Sequence, residues 1–277
     1  MSDRPVTLAA LHLYPVKSCA GITLDAHELD TTGLDLDRAW MVVDEQGEFL
    51  SQRELPRMAL IRPTLRASDL VLRAPGMLAL HLALDAVEQP VRVRVWDDEV
   101  AAFDMGALAA QWCSDFLGRP ARLVRFDPDA QRLADKHWTG ALQAPVQFSD
   151  SFPLLVASTA SLAELNRRLA APVSMQRFRP NLVLDGLDAH GEDFIDEITF
   201  DDGAIRLRLV KPCSRCGVPD VDPDSAATGH AVGDALAAYR ADARLGGALT
   251  FGMNAVIVEG AGLRLRTGML GQARLTF

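Results

Sequence analysis

The chain has 277 residues, 49% of them apolar and 23% charged, with a net charge of −9 and a pI near 5.1. That is enough chain for one large domain or two modest ones, each with a core of its own. So acidic a protein is excluded from broad binding to a nucleic-acid polymer, while a local basic pocket for a small anion stays open.

In chain order, the first hundred residues read mostly as strands. Leu8 to Val16 is apolar and ends at Tyr14-Pro15, and Lys17-Ser18-Cys19-Ala20-Gly21 makes a tight connection. Asp37 to Val43 reads as a strand that begins with a charged pair. Leu78, Leu80, Leu82 and Leu84 alternate with smaller residues, and Val91, Val93 and Val95 alternate with Arg92 and Arg94. Period two means strands with one buried face. With no ordinary helix between them, the sheet is expected to be antiparallel. Residues 105 to 118 change to helical spacing and stop at Gly118.

Residues 127 to 150 are polar and read as a surface segment joining two halves, 1–125 and 126–277. In the second half, Phe152 to Val156 reads as a strand. Ser161 and Glu164 have the spacing of a capping box for the helix that follows. Arg177 to Leu184 is a basic entry into a strand, and Ile205, Leu207 and Leu209 alternate with Arg206 and Arg208. Residues 231 to 244 read as helical, and 251–258 and 263–265 as strands. The expected class is α+β and mainly β, either a β-barrel or a mostly antiparallel chain.

No uncharged apolar run is long enough to span a bilayer, and the first residues lack the order of a secretory signal. The four cysteines, Cys19, Cys113, Cys213 and Cys216, are too few and too scattered for a disulfide framework. A reducing cytoplasm is the expected compartment.

The chemistry centres on residues 211–224, where Cys213 and Cys216 are flanked by Lys211 and Arg215, and where Pro212, Pro219 and Pro223 oppose a helix. Half a zinc site, a redox pair, two inert thiols, a single thiolate ligand for a soft metal and a sulfur-transfer nucleophile are all compatible with it. Zinc lacks a second close pair of ligands, and a thioredoxin-like pair lacks its helix. Arg215 would favour a thiolate. Separately, Lys17-Ser18, Arg38 and Arg179-Pro180-Asn181 hold the parts of a phosphate clamp: point charge, hydroxyl, guanidinium forks and amide. The glycine-rich nucleotide loops are missing. The Asp222-Pro223-Asp224 group reads as turn chemistry.

Tyr14-Pro15-Val16-Lys17-Ser18, Arg179-Pro180-Asn181, Ser214-Arg215-Cys216 and Val221-Asp222-Pro223-Asp224 occur together in this order. In this the chain resembles the MOSC family, named for the C-terminal domain of molybdenum-cofactor sulfurase, over nearly its whole length. It is most similar to the branch of the mitochondrial amidoxime-reducing component and its bacterial relatives. The resemblance implies a molybdenum–molybdopterin cofactor between a β-rich N-terminal MOSC β-barrel domain and a MOSC domain that is itself an antiparallel β-barrel. It implies Cys216 as metal ligand and catalytic centre, and Lys17, Ser18, Arg38 and Arg179 at the phosphate end of the pterin. Ser151, Asn181, Ser214 and Arg215 are implied as further cofactor contacts.

The implied reaction is reduction of small N-hydroxylated compounds: hydroxylamines, N-hydroxylated bases and amidoximes. Electrons are expected from a separate ferredoxin- or cytochrome-type protein, since no cysteine follows Cys216. The alternatives are a sulfur carrier served by a pyridoxal-phosphate-dependent cysteine desulfurase, or a non-catalytic cofactor-binding module. Pro219-Asp220 stands where the family often has two threonines, and an acid near the thiols is expected to bear on substrate preference.

Overall fold

In a computed structural model, which describes residues 3–86 and 89–276, the alternating apolar positions become strand faces. Ile205, Leu207 and Leu209 are buried in strand Ile205–Ser214, with Arg206 and Arg208 on its other face. Strand Asp3–Leu13 buries Val6 and Leu8, then changes phase and buries Leu11 and Leu13. A register shift between Leu8 and Ala10 explains the slip, because a bulge inserts one unpaired residue.

Seven strands close into a barrel. The order is Leu154–Ser158, Leu182–Asp185, Asp3–Leu13, Leu270–Leu275, Ile195–Phe200, Ile205–Ser214 and Ala248–Glu259, which pairs back onto Leu154–Ser158. The fold is mainly β, as the alternation implied. One pairing departs from the expected antiparallel pattern: Leu154–Ser158 and Leu182–Asp185 run parallel. The crossover that a parallel pair needs is the segment carrying helix Thr159–Asn166. At the seam, Gly252 has φ +76°, and a methyl group there would lie 2.6 Å from the Val156 carbonyl oxygen. Glycine alone lets the two strands approach this closely. Leu8, Leu11, Leu184, Ile198, Phe200 and Leu207 fill the interior, each contributing about 1.5–3 kcal/mol by leaving water.

The barrel takes its central strand, Asp3–Leu13, from the start of the chain and the other six from beyond residue 153. It therefore draws on both sides of the 125/126 division. Residues between build smaller sheets. Trp40–Val43, Arg122–Phe126, Asp98–Asp104 and Gln89–Val95 form one antiparallel sheet, and Arg62–Leu65, Asp69–Arg73 and Leu80–Ala83 another. Helix Gly106–Leu117 buries Ala109, Trp112, Cys113 and Phe116, and ends at Gly118 in the left-handed conformation.

Three local expectations are corrected. The cap of helix Thr159–Asn166 is Ser158, whose hydroxyl accepts from the Ser161 amide; Ser161 is inside the helix, and Glu164 pairs with Arg167 and Arg168. A strand-end serine three residues upstream offered the earlier cap. Leu78 is 88% exposed and lies outside the strand, which is Leu80–Ala83. Residues 127–150 are only partly surface. Val146 and Phe148 are buried, and Arg132 donates to the carbonyl oxygens of Gln147, Ser149 and Asp150 at 2.6–3.2 Å. This strap becomes a wall of the site described next. No helix among the described residues is long and apolar enough to cross a membrane.

Candidate functional site

The chain leaves the first barrel strand at Tyr14 and is zipped at once to the segment before strand Trp40–Val43. The Arg38 amide donates to the Tyr14 carbonyl, the Trp40 amide to Pro15 and the Lys17 amide to Trp40. This fixes Lys17 beside Arg38. Arg179 arrives from the other half, at the end of the helical turn Met175–Phe178, with its Nη1 2.5 Å from the Cys19 carbonyl oxygen. Arg38 Nη2 donates to the Arg179 carbonyl at 3.1 Å. The two guanidiniums also sandwich the buried Tyr14 ring, 4.4 and 4.3 Å from its centroid.

Ser18, Arg38 and Arg179 all have left-handed backbones, with φ of 62°, 53° and 57°. Each costs about 1–2 kcal/mol outside glycine, and such strain gathers where geometry serves a site. Burial, and then the charge of Arg38, pull the Arg179 pKa down to about 10, which leaves it cationic at neutral pH. Burial holds the Tyr14 phenol up at about 12.

Lys17 is 5% exposed. Its ammonium donates to the Phe148 carbonyl at 2.8 Å and pairs with Asp150. Burial lowers its pKa, against the pull of Asp150. Desolvation in the cleft would raise the Asp150 carboxyl, but the Lys17 charge and hydrogen bond, with a further bond from Trp96, hold it below the usual carboxylate range. The Asp150 side chain is open to solvent, so the Lys17 contact decides its state.

The thiols sit where strand Ile205–Ser214 ends. The strand runs past Pro212 through Cys213 and Ser214, with register shifts on both sides of the proline. Bulges let a proline remain there without stranding a ladder acceptor. Cys213 is half-buried and Cys216, just past the strand, is exposed. Arg215 Nη1 lies 3.0 Å from Cys213 Sγ and Nη2 2.9 Å from the Phe178 carbonyl oxygen. The guanidinium thus contacts Cys213 rather than Cys216. Among the described residues no three His, Cys, Asp or Glu side chains group as metal ligands, so the pair gains no zinc partners.

Lys17, Ser18, Arg38, Ser151, Arg179, Asn181, Ser214, Arg215 and Cys216 all line one cleft of about 320 Å³. Asn181 is buried and its amide serves the fold: Oδ1 accepts from the Leu155 amide at 3.1 Å, and Nδ2 donates to the His12 carbonyl at 3.3 Å. Arg53, Trp96, Asp150 and Lys211 line the same cleft. Arg53, Trp96 and Asp150 carry no sequence signal, because only the fold brings residues 53 and 96 to the strap. Six of the lining side chains are cationic and one, Asp150, is acidic, in a chain of net charge −9.

Asp220 lies elsewhere. Its carboxylate accepts from the amides of Val232 and Gly233 at 2.9–3.3 Å and so caps helix Ala231–Ala237. Its charge is therefore directed at a helix N-terminus rather than into the cleft. Asp222 accepts from the amides of Asp224 and Ser225, which is the turn chemistry expected of it.

Comparison with known proteins gives the chain a family. Residues 5–120 match the MOSC N-terminal beta barrel domain, and residues 143–268 match the MOSC domain. Human mitochondrial amidoxime-reducing component 1 is 37% identical over 229 residues, covering 79% of this chain and 67% of that protein. Bovine mitochondrial amidoxime reducing component 2 is 36% identical over 228 residues, with 79% and 67% covered. Human molybdenum cofactor sulfurase is 33% identical over 239 residues, which are 79% of this chain and 27% of that longer protein. The chain belongs to the MOSC family, with a MOSC N-terminal beta barrel domain ahead of the MOSC domain.

Proposed function

We propose that the cleft binds a molybdenum–molybdopterin cofactor and that the protein reduces N-hydroxylated compounds with electrons from a separate ferredoxin- or cytochrome-type partner. The observation that carries this reading is the meeting, in one cleft, of an exposed thiol with Lys17, Arg38 and Arg179 from three distant stretches. The donor set fits the group. Arg179 Nη2, Arg215 Nε and Ser149 Oγ are buried without a hydrogen-bond partner among the described residues, and buried donors call for acceptors. Phosphate oxygens supply acceptors, and a thiolate is the protein donor that suits a soft metal. The relatives named for reducing amidoximes support the same reading.

Lys17, Ser18, Arg38 and Arg179 would hold the phosphate, and Ser151, Asn181, Ser214 and Arg215 would line the path from there to the Cys216 sulfur, the metal's protein ligand. When bound, the cofactor supplies the two-electron redox centre, which no side chain in the cleft could provide. The protein positions it and shapes access. In the net reaction the N–O bond breaks, two electrons and two protons are taken up, and the oxygen leaves as water. Tyr14 and Asp37 support the clamp from behind: the Tyr14 ring spaces the two arginines, and Asp37 pairs with Arg38 and accepts from the Tyr14 amide at 2.9 Å.

The test is turnover. Protein produced in a host that makes molybdopterin should reduce benzamidoxime when electrons are supplied chemically, and Cys216→Ser should lose the activity. A fully loaded protein inert toward hydroxylamines, N-hydroxylated bases and amidoximes alike would count against it.

A second reading rests on Arg215, whose guanidinium lies 3.0 Å from Cys213 Sγ. A sulfur carrier would use that sulfur to accept a persulfide from a pyridoxal-phosphate-dependent cysteine desulfurase. Mass spectrometry of protein incubated with such a desulfurase and cysteine decides it: a 32-dalton adduct (roughly one sulfur atom) on Cys213 supports the carrier.

A further inference from the structure

The tip of the hairpin joining strands Gln89–Val95 and Asp98–Asp104 is the two-residue turn 96–97, and Trp96 takes its first place with φ +56°. Glycine usually fills that position, and a bulky side chain there is a true backbone outlier. The side chain is also fixed. Its Nε1 donates to Asp150 Oδ1 at 3.2 Å, its ring meets Phe49 edge-on at 5.0 Å, and the Arg53 guanidinium lies 4.6 Å from its centroid. Yet 44% of Trp96 remains exposed, at a wall of the cleft. An indole held by strain, a hydrogen bond and a cation, and still left open to solvent, is a surface prepared for contact.

Two cations of the cleft are left over from the phosphate clamp. Arg53 makes its side-chain hydrogen bond to the Ser51 hydroxyl at 3.2 Å, and Lys211 has its ammonium 5.4 and 5.9 Å from the rings of Trp138 and Phe152. Neither has a carboxylate partner among the described residues, and Asp150 is already engaged by Lys17 and Trp96. A cleft with surplus positive charge and an aromatic wall favours a flat, negatively charged guest.

We infer that Trp96, Arg53 and Lys211 form the substrate subsite of the cleft, which takes a planar N-hydroxylated compound carrying a carboxylate or phosphate-type group in preference to a cationic one. This rests on the reductase reading above and narrows its substrate class. Trp96 supplies the stacking face, and Arg53 and Lys211 discriminate by charge.

The test uses the cofactor-loaded protein and four matched probes: benzamidoxime and its 4-carboxylate, 4-phosphonate and 4-trimethylammonium derivatives. Dissociation constants come from calorimetry without reductant, and kcat and KM from turnover with chemically supplied electrons. Both anions should bind about tenfold more tightly than the cation, with the difference in KM rather than kcat. The ratio between the two anions tells a carboxylate preference from a phosphate-type one. The double variant Arg53→Gln/Lys211→Gln should reduce the anion-to-cation ratio to about twofold, and Arg53→Lys/Lys211→Arg should keep it. Trp96→Gly, which relieves the backbone, should weaken all four probes by about fivefold and leave the ratio unchanged.

Equal binding of anion and cation by the wild type, or an unchanged ratio in a double variant that melts like the wild type, overturns the inference. Probes that bind in the expected charge order but are never reduced keep the subsite and sink the reductase reading. Probes reduced without any charge order do the reverse.

Discussion

Asp150→Asn isolates the contact that holds one wall of the cleft. The substitution keeps the shape of the side chain and removes its charge, leaving the Lys17 ammonium, 5% exposed, with the Phe148 carbonyl at 2.8 Å and the Phe49 ring at 5.1 Å. Breaking a fully buried pair costs about 3–5 kcal/mol, and breaking an exposed one at most about 1 kcal/mol. Here one partner is buried and the other, Asp150, is open to solvent, so the expected loss is about 2 kcal/mol. For a chain of this size that lowers the melting temperature by about 4–8 °C.

The pH dependence gives a sharper signature. Asp150 has its folded pKa held below the ordinary value of 3.8, so its contribution is complete above 3.8 and is lost as the pH falls through the folded value. Thermal melts followed by circular dichroism should therefore show a constant deficit for the variant from pH 8 to about pH 5, closing below about pH 3. A variant that melts with the wild type at pH 7, or a deficit that persists unchanged into strong acid, refutes the assignment of the strap to this ion pair.

Three further outcomes are expected. Asn181→Leu removes two buried hydrogen bonds that join the barrel strands to the first strand, so it should cost about 2–4 kcal/mol in denaturant titrations even without cofactor, whereas a pure cofactor contact would leave the apo-protein's stability unchanged. His190 has its pKa lowered to about 4 by burial and then by Arg240, and its ring nitrogens have no partner among the described residues. Its contribution is complete above 6.5 and is lost as the pH falls toward 4, so His190→Asn should spare about 2 kcal/mol of the wild type's loss over that window, as read from urea midpoints. Asp220→Ala removes the remote cap of helix Ala231–Ala237 and should cost about 1 kcal/mol while leaving KM for every benzamidoxime probe unchanged. A changed KM would return Asp220 to the cleft.

Much of this architecture is written in residue order. Ile205, Leu207 and Leu209 declare a half-buried strand, and Gly118 marks a helix end, because both signals are local. Lys17, Ser18, Arg38 and Arg179 were legible as chemistry, since lysine, serine and arginine beside tight turns can hold an anion, but their meeting in one cleft was not. That depends on Arg179 crossing to the Cys19 carbonyl, a contact between residues 160 apart in the chain. The parallel pair was legible in principle, since a helix stands between its two strands in residue order, but the antiparallel pattern of the other strands outweighed that signal. Ser161 misled because Ser158, also a good cap, lay one turn earlier. Trp96 was unreadable: a tryptophan in a hairpin tip looks like a stray surface aromatic until its positive φ and its neighbours are seen.

Whether the cleft holds the cofactor is decided by counting molybdenum atoms per chain in protein purified from a host that makes molybdopterin. About one per chain is expected for the wild type, with the metal lost from Arg179→Met and reductase activity lost from Cys216→Ser. Wild-type protein that stays free of molybdenum while another molybdenum enzyme loads normally in the same cells would contradict it.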